Sequence, residues 1–274
     1  MNFRESKEGT YTKKSLVRVF EVNHTNKEKL FDQLKKSTKF KVNADFAISS
    51  TKSIRIRDIT YTNDECFCHV TVYNPKESVS ITPASQGGSR DLMDVDNYDT
   101  CHYFMLINKN YIRVIFQISF TWPESKLKLF FEQLAINVTP APLLDSQVVS
   151  SLQDEGFKAL HINTTIHSSQ TTKKDNPLTK IIRKVPKVGD KGVYGNFRIS
   201  GKGNPEVANS IEQSPQIWVQ DLDGDFYIET KKGNRITGDK IKLHKIYYTY
   251  PYGSKTITAK CAHEILSHFK SNVL

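Results

Sequence analysis

The chain of 274 residues has no run of about 18 apolar residues, so no segment is expected to cross a bilayer as a helix. Residues Met1 to Lys14 lack the apolar core of an export signal, and the expected location is cytoplasmic. Cysteine is scarce. Cys66, Cys68, Cys101 and Cys261 are all there is, and in an unexported chain they are expected to be reduced, buried thiols. Glycine-rich phosphate loops are missing too. There is no G-x-x-x-x-G-K-[ST] and no strand leading into G-x-G-x-x-G, and Gly201-Lys202-Gly203 is too short to replace them. No cofactor and no metal are expected. Cys66 and Cys68 share one face of a strand, a poor fit to the paired ligands of a zinc knuckle. Cys68-His69 and Cys101-His102 would converge only if their strands pair.

Acidic residues are nearly absent from one stretch. From Lys173 to Lys202 nine basic side chains face two acids, Asp175 and Asp190. The whole chain carries a net charge of +10, unevenly spread: residues 1–172 hold 21 basic and 19 acidic side chains, residues 173–274 hold 18 and 10. Such asymmetry points to a polyanionic partner, because each neutralised phosphate releases a condensed counterion.

Hydrophobic periodicity supplies the elements. Leu16 to Val22 alternates as a strand, and Asn26 is placed to cap a helix to about Lys36. Strands are expected at Ile54–Tyr61 and Cys66–Tyr73. Residues 74–99, with Pro75, Pro83 and Gly87-Gly88, read as a long loop. His102–Ile107 and Tyr111–Ile118 are nearly continuous apolar runs, which suits strands buried on both faces. Pro123 opens a helix through Leu127, Phe130, Phe131 and Leu134. Phe157–Ile166 reads as a strand and residues 168–176 as a boundary. Leu178–Val185 has the pattern of a short basic amphipathic helix, and five glycines from Gly189 to Gly203 break any long element after it. Asp223-Gly224 is expected to turn a hairpin between Ile217–Gln220 and Phe226–Glu229. A last helix spans about Thr258 to Asn272. The expected class is α+β: an N-terminal body, residues 1–170, with a mixed or antiparallel sheet and flanking helices, followed by a smaller basic C-terminal α+β part, residues 171–274.

Three constellations carry possible chemistry. Asp221, Asp223 and Asp225 followed by Glu229-Thr230-Lys231 resemble the strand carboxylates and E-x-K of restriction-type nucleases, with Asp225, Glu229 and Lys231 as the metal-dependent set. The acids sit in a turn, where Asp and Gly have a conformational role. His161 and His167 flank a strand with no evident nucleophile. The third is a DNA-binding set drawn from the charge pattern: Lys173, Lys174, Lys180, Arg183, Lys184, Lys187, Lys191, Arg198 and Lys202, with Lys240, Lys242 and Lys245 interleaved with tyrosines near the end. A further basic cluster lies on the first helix and its exit, from Lys27 to Lys41. No catalytic residue is assigned. Phosphate contacts fix position and not sequence, so the expected partner is double-stranded DNA bound with little sequence preference.

The order of the segments resembles the RexA family of phage lambda exclusion proteins over about two-thirds of the chain. The resemblance rests on the paired strands Tyr103–Ile107 and Tyr111–Phe116 with the helix after them, on Ile136–Pro140 with Leu160–Ile162, and on Trp218–Lys232 leading through Gly238-Asp239-Lys240 to the last helix. It implies a cytoplasmic, non-enzymatic, DNA-binding homodimer acting in phage exclusion, with a membrane-protein effector encoded alongside. A protein-interaction module that senses or inhibits a phage or host protein is the other class the sequence leaves open.

Overall fold

A computed structural model describes residues 2–24, 28–82, 91–116, 125–166, 193–219, 222, 225–253 and 256–274. The chain is α+β and divides into two compact units. Unit 1 is Met1–Pro140 together with Lys245–Leu274, and unit 2 is Ala141–His244. The single boundary expected near residue 170 is replaced by two crossings, because the last strand and helix belong with the N-terminal body. This redistributes the charge. Unit 2 holds 15 basic and 12 acidic residues, and unit 1 holds 24 and 17. The basic C-terminal third is therefore not a structural unit.

Unit 1 is built on a nine-stranded sheet. Its strands are β1 (Phe3–Arg4), β2 (Lys13–His24), β3 (Asp45–Ala47), β4 (Ser53–Tyr61), β5 (Cys66–Ile81), β6 (Asp91–Ile107), β7 (Tyr111–Phe116), β8 (Val138–Pro142) and β13 (His244–Thr249). Their order is β1-β13-β2-β7-β6-β5-β4-β3, with β8 also paired to β2. Helices α1 (Leu30–Lys36) and α2 (Ser125–Gln133) bury Leu30, Phe31, Leu34, Phe130 and Phe131 against one face. Helix α7 (Ala259–Asn272) buries Ala262, Ile265, Leu266 and Phe269 on the other side, where His263 meets Phe67 edge-on at 5.1 Å. Coverage on both sides explains why Tyr103 to Ile107 is apolar without alternation. The Thr258 side chain caps α7 by accepting from the Cys261 amide.

Over 74–81 and 91–99 the expected loop is instead the outer part of a long hairpin. β5 and β6 pair from Cys66↔Ile107 out to Ile81↔Asp91. Its polar composition reflects a ribbon exposed to water and not a lack of structure.

Unit 2 is a four-stranded antiparallel sheet of order β10-β9-β11-β12, made of β9 (Phe157–Ile166), β10 (Val193–Ser200), β11 (Asp225–Thr230) and β12 (Arg235–Thr237). The unit's helices among the described residues are α3 (Ser146–Glu155), α4 (Pro205–Gln213), α5 (Pro215–Val219) and α6 (Gly238–Ile241). Leu152, Leu160, Ile162, Ile211, Trp218 and Phe226 belong to one core with them. The expected hairpin through Asp223-Gly224 is not formed. Ile217 to Val219 is helical because Pro215 opens a turn that buries Trp218 and Val219, and the Trp218 indole donates to Ser210 Oγ at 3.0 Å. β10 was not anticipated among its glycines. Gly195 belongs in the strand because the Phe197 ring lies over it, 2.8 Å from where a Cβ would stand. The expected basic helix Leu178–Val185 lies outside the described residues. Among the described residues no helix is long and apolar enough to cross a membrane.

Candidate nucleic-acid interface

In unit 2 the period of two sorts side chains to opposite faces. Leu160, Ile162, Phe226, Ile228 and Ile236 point into the helix-covered core. The other face is polar, and strand register builds it row by row. Arg198, His161, Tyr227 and Thr237 are successive cross-strand partners on β10, β9, β11 and β12. The next row is Ser200, Ala159, Glu229 and Arg235. Lys158 sits beside it, where a bulge shifts the β9–β11 register between Glu229 and Thr230.

These side chains interact closely. The His161 and Tyr227 rings stack in parallel at 4.4 Å. The Arg235 guanidinium lies 4.9 Å from the Tyr227 centroid, approaching from the β12 side. Glu229 accepts from Lys158 Nζ at 2.7 Å, lies 3.3 Å from His161 Nε2 and 4.0 Å from Arg198 Nη2. The Lys158 hydrogen bond, then that of His161, holds the Glu229 carboxyl below its ordinary range. Lys158 and Arg198 keep about half of their side-chain surface exposed, 49% and 52%, and Arg235 is exposed. Lys158 and Arg198 thus flank one carboxylate whose cross-strand neighbour is Arg235, leaving an excess of positive charge among the described side chains of this face. The sequence reading found Arg198 but missed Lys158, Tyr227 and Arg235. Their alternation with apolar neighbours was the available signal, and only the strand register brings them together.

Seven of the expected DNA contacts, Lys173, Lys174, Lys180, Arg183, Lys184, Lys187 and Lys191, lie outside the described residues. The strands on either side of them are paired at Ile166↔Val193, so residues 167–192 connect two neighbours of this sheet. That connection carries seven cations and two acids. Lys202 is exposed in the turn after β10, and Lys240 is exposed on α6. Lys242 is 4% exposed, and its ammonium donates to the Leu222 carbonyl at 3.1 Å, so it serves the interior of unit 2. Lys245 belongs to unit 1, where it pairs with Glu5 at 2.8 Å.

Of the nuclease set, the Asp225 side chain lies outside the described ones, and the other two have separate partners. Glu229 is engaged by Lys158 and His161, whereas Lys231 Nζ turns to Glu212 of α4 at 3.7 Å. Among the described residues no three His, Cys, Asp or Glu side chains are grouped to hold a metal.

The cysteine–histidine pairs of unit 1 also separate. Cys68 and Cys101 face α1 and α2, while on the opposite face His69 Nε2 lies 3.1 Å from His102 Nδ1. All four cysteines are buried and none is in a disulfide. Burial pushes Cys66 up to about 12 and Cys261 to about 11, so neither is a thiolate at neutral pH.

Comparison with protein-family models, with curated proteins and with solved structures finds no match to this chain.

Proposed function

We propose that this protein is a non-enzymatic binder of double-stranded DNA and that unit 2 makes the contact. The observation that carries the reading is the β9–β10 hairpin. Its connection holds an excess of five positive charges, and the polar face of its sheet adds Lys158, Arg198 and Arg235. Phosphate neutralisation by such a set supplies affinity without sequence information.

Duplex is favoured over single strand by the state of Tyr227, the large ring among the described side chains of that face. His161 occupies one side of Tyr227 and Arg235 the other, so the ring offers no free surface for an unpaired base. Single-strand binders use open aromatic faces. The segment order supports a role in phage exclusion, with this chain as the DNA-bound half of a pair whose effector is a membrane protein.

The experiment is a titration of labelled duplex by fluorescence anisotropy over a range of salt. Neutralising about six phosphates gives a log–log slope near −5. Replacing Lys180, Arg183, Lys184 and Lys187 together with Glu is expected to abolish binding while the thermal transition is retained. Wild-type affinity in that variant would refute the reading. Cleavage of plasmid in Mg²⁺ or Mn²⁺ would restore the nuclease alternative.

A further inference from the structure

On the polar face of unit 2, donors from two strands converge on the carboxylate of a third. Glu229 Oε1 accepts from Lys158 Nζ at 2.7 Å, and Oε2 lies 3.3 Å from His161 Nε2 and 4.0 Å from Arg198 Nη2. An ionised carboxylate only accepts, so His161 is the donor in its pair. Lys158 and His161 belong to β9 and Arg198 to β10, whereas Glu229 reaches them from β11.

The donors are held without help from the carboxylate. The His161 ring is stacked on Tyr227 with 9° between their planes, and Arg235 backs Tyr227 from the β12 side. Arg198 and His161 are cross-strand partners, so the β9–β10 ladder sets their spacing. Glu229 is the movable member, a carboxylate on a flexible stem whose side chain is 22% exposed and within reach of water. A phosphodiester carries the same single negative charge on two oxygens. Lysine, arginine and imidazole N–H groups bond either kind of oxyanion.

We propose that Glu229 is a built-in rival of the DNA backbone: its carboxylate fills an oxyanion site made by Lys158, His161 and Arg198, and one phosphate of a bound duplex displaces it. This rests on duplex binding by unit 2 and adds two things to it, His161 as a phosphate ligand and Glu229 as the residue that limits affinity. In the free protein the carboxylate keeps the donors satisfied. On binding it turns out into water, and the phosphate takes over its bonds. Left in place, it would set a like charge at the centre of the phosphate's own ligands.

Anisotropy titrations of the full chain with labelled duplex, repeated over a range of salt, test this. Glu229→Gln is expected to bind about fivefold tighter or better at low salt. Its log–log salt slope should steepen by about 0.9, the signature of one more neutralised phosphate. Glu229→Ala, which removes the acceptor as well as the charge, should give the same gain. Lys158→Gln added to Glu229→Gln should return the slope to its wild-type value. The control is Asp154→Asn, an exposed carboxylate on α3, the helix that packs Val148 and Leu152 into the core on the far side of the sheet. It should leave the slope unchanged. Wild-type or weaker affinity in both Glu229 variants, with the thermal transition retained, would overturn the proposal and leave duplex binding by unit 2 standing. A gain matched by Asp154→Asn, with no change of slope, would overturn it as a general effect of charge. Absence of duplex binding in wild type and variants alike would instead refute the binding function on which it rests.

Discussion

Unit 1 and unit 2 both rest on an antiparallel sheet, but among the described residues helices cover the first on two faces and the second on one. In unit 1, Phe104 on β6 is fully buried between Phe67 and His69, at ring distances of 6.3 and 4.2 Å. In unit 2, Tyr227 lies on a face lined by Arg198 and Arg235, while its neighbours Phe226 and Ile228 fill the core. The difference teaches where chemistry can reside. A sheet closed on both sides can hold charge only as tightly matched pairs. A sheet closed on one side can display unmatched charge to a partner.

The sharpest test of the comparison is one aromatic from each sheet. Phe104→Ala should destabilise unit 1 by about 3–5 kcal/mol in a denaturant titration, the usual cost of emptying a packed phenyl site. Glu65→Ala comes next. Arg113 is 1% exposed and is bonded to Glu65, which also pairs with Lys270 of α7 at 3.0 Å. Removing the carboxylate leaves a buried guanidinium without a counter-charge, at a cost of about 3 kcal/mol. Arg113→Met should cost less, because no unpaired charge remains.

Acid provides a third contrast. Burial, then the neighbouring His102 and Arg57, pushes His69 down to about 3. Its folded value lies below the ordinary value of about 6.5, so the unfolded chain binds the extra proton. This contribution is complete above pH about 6.5 and is lost as pH falls toward 3. Thermal midpoints should therefore drop on acidification over that interval, and His69→Phe should flatten the drop. In unit 2, Arg198→Glu with Arg235→Glu should weaken duplex binding by about tenfold or more and make the salt slope shallower by about 2. The smallest effect belongs to Tyr227→Ala, which should cost under about 1 kcal/mol of stability. A loss there as large as that of Phe104→Ala would mean the polar face of unit 2 is covered.

The sequence was a good guide where a local pattern and burial agreed. β2, β9, α2 and α7 stand close to where periodicity placed them, because each presents an apolar stripe to a core. It misled where composition stood in for exposure. The stretches 74–81 and 92–98 are polar because both sides of a ribbon meet water, and Ile217 to Val219 is helical because tertiary burial of Trp218 outweighs a hairpin signal. Of the candidate site, Arg198 was legible from charge, whereas Lys242 was counted as a surface cation although its ammonium is inside. Linear charge density carries no information on direction.

Composition and order of residues alone determined the α+β class, the buried thiols and the presence of an intensely basic connection. Which cations share a face was decided only by folding. Cross-strand register joins Lys158, Arg198 and Arg235, residues up to 77 positions apart, and the return of β13 and α7 to unit 1 moves the C-terminal charge out of unit 2. The physical reason is that a strand's side-chain alternation is local, while its neighbour in the sheet is chosen by long-range hydrogen bonding and by burial of the opposite face.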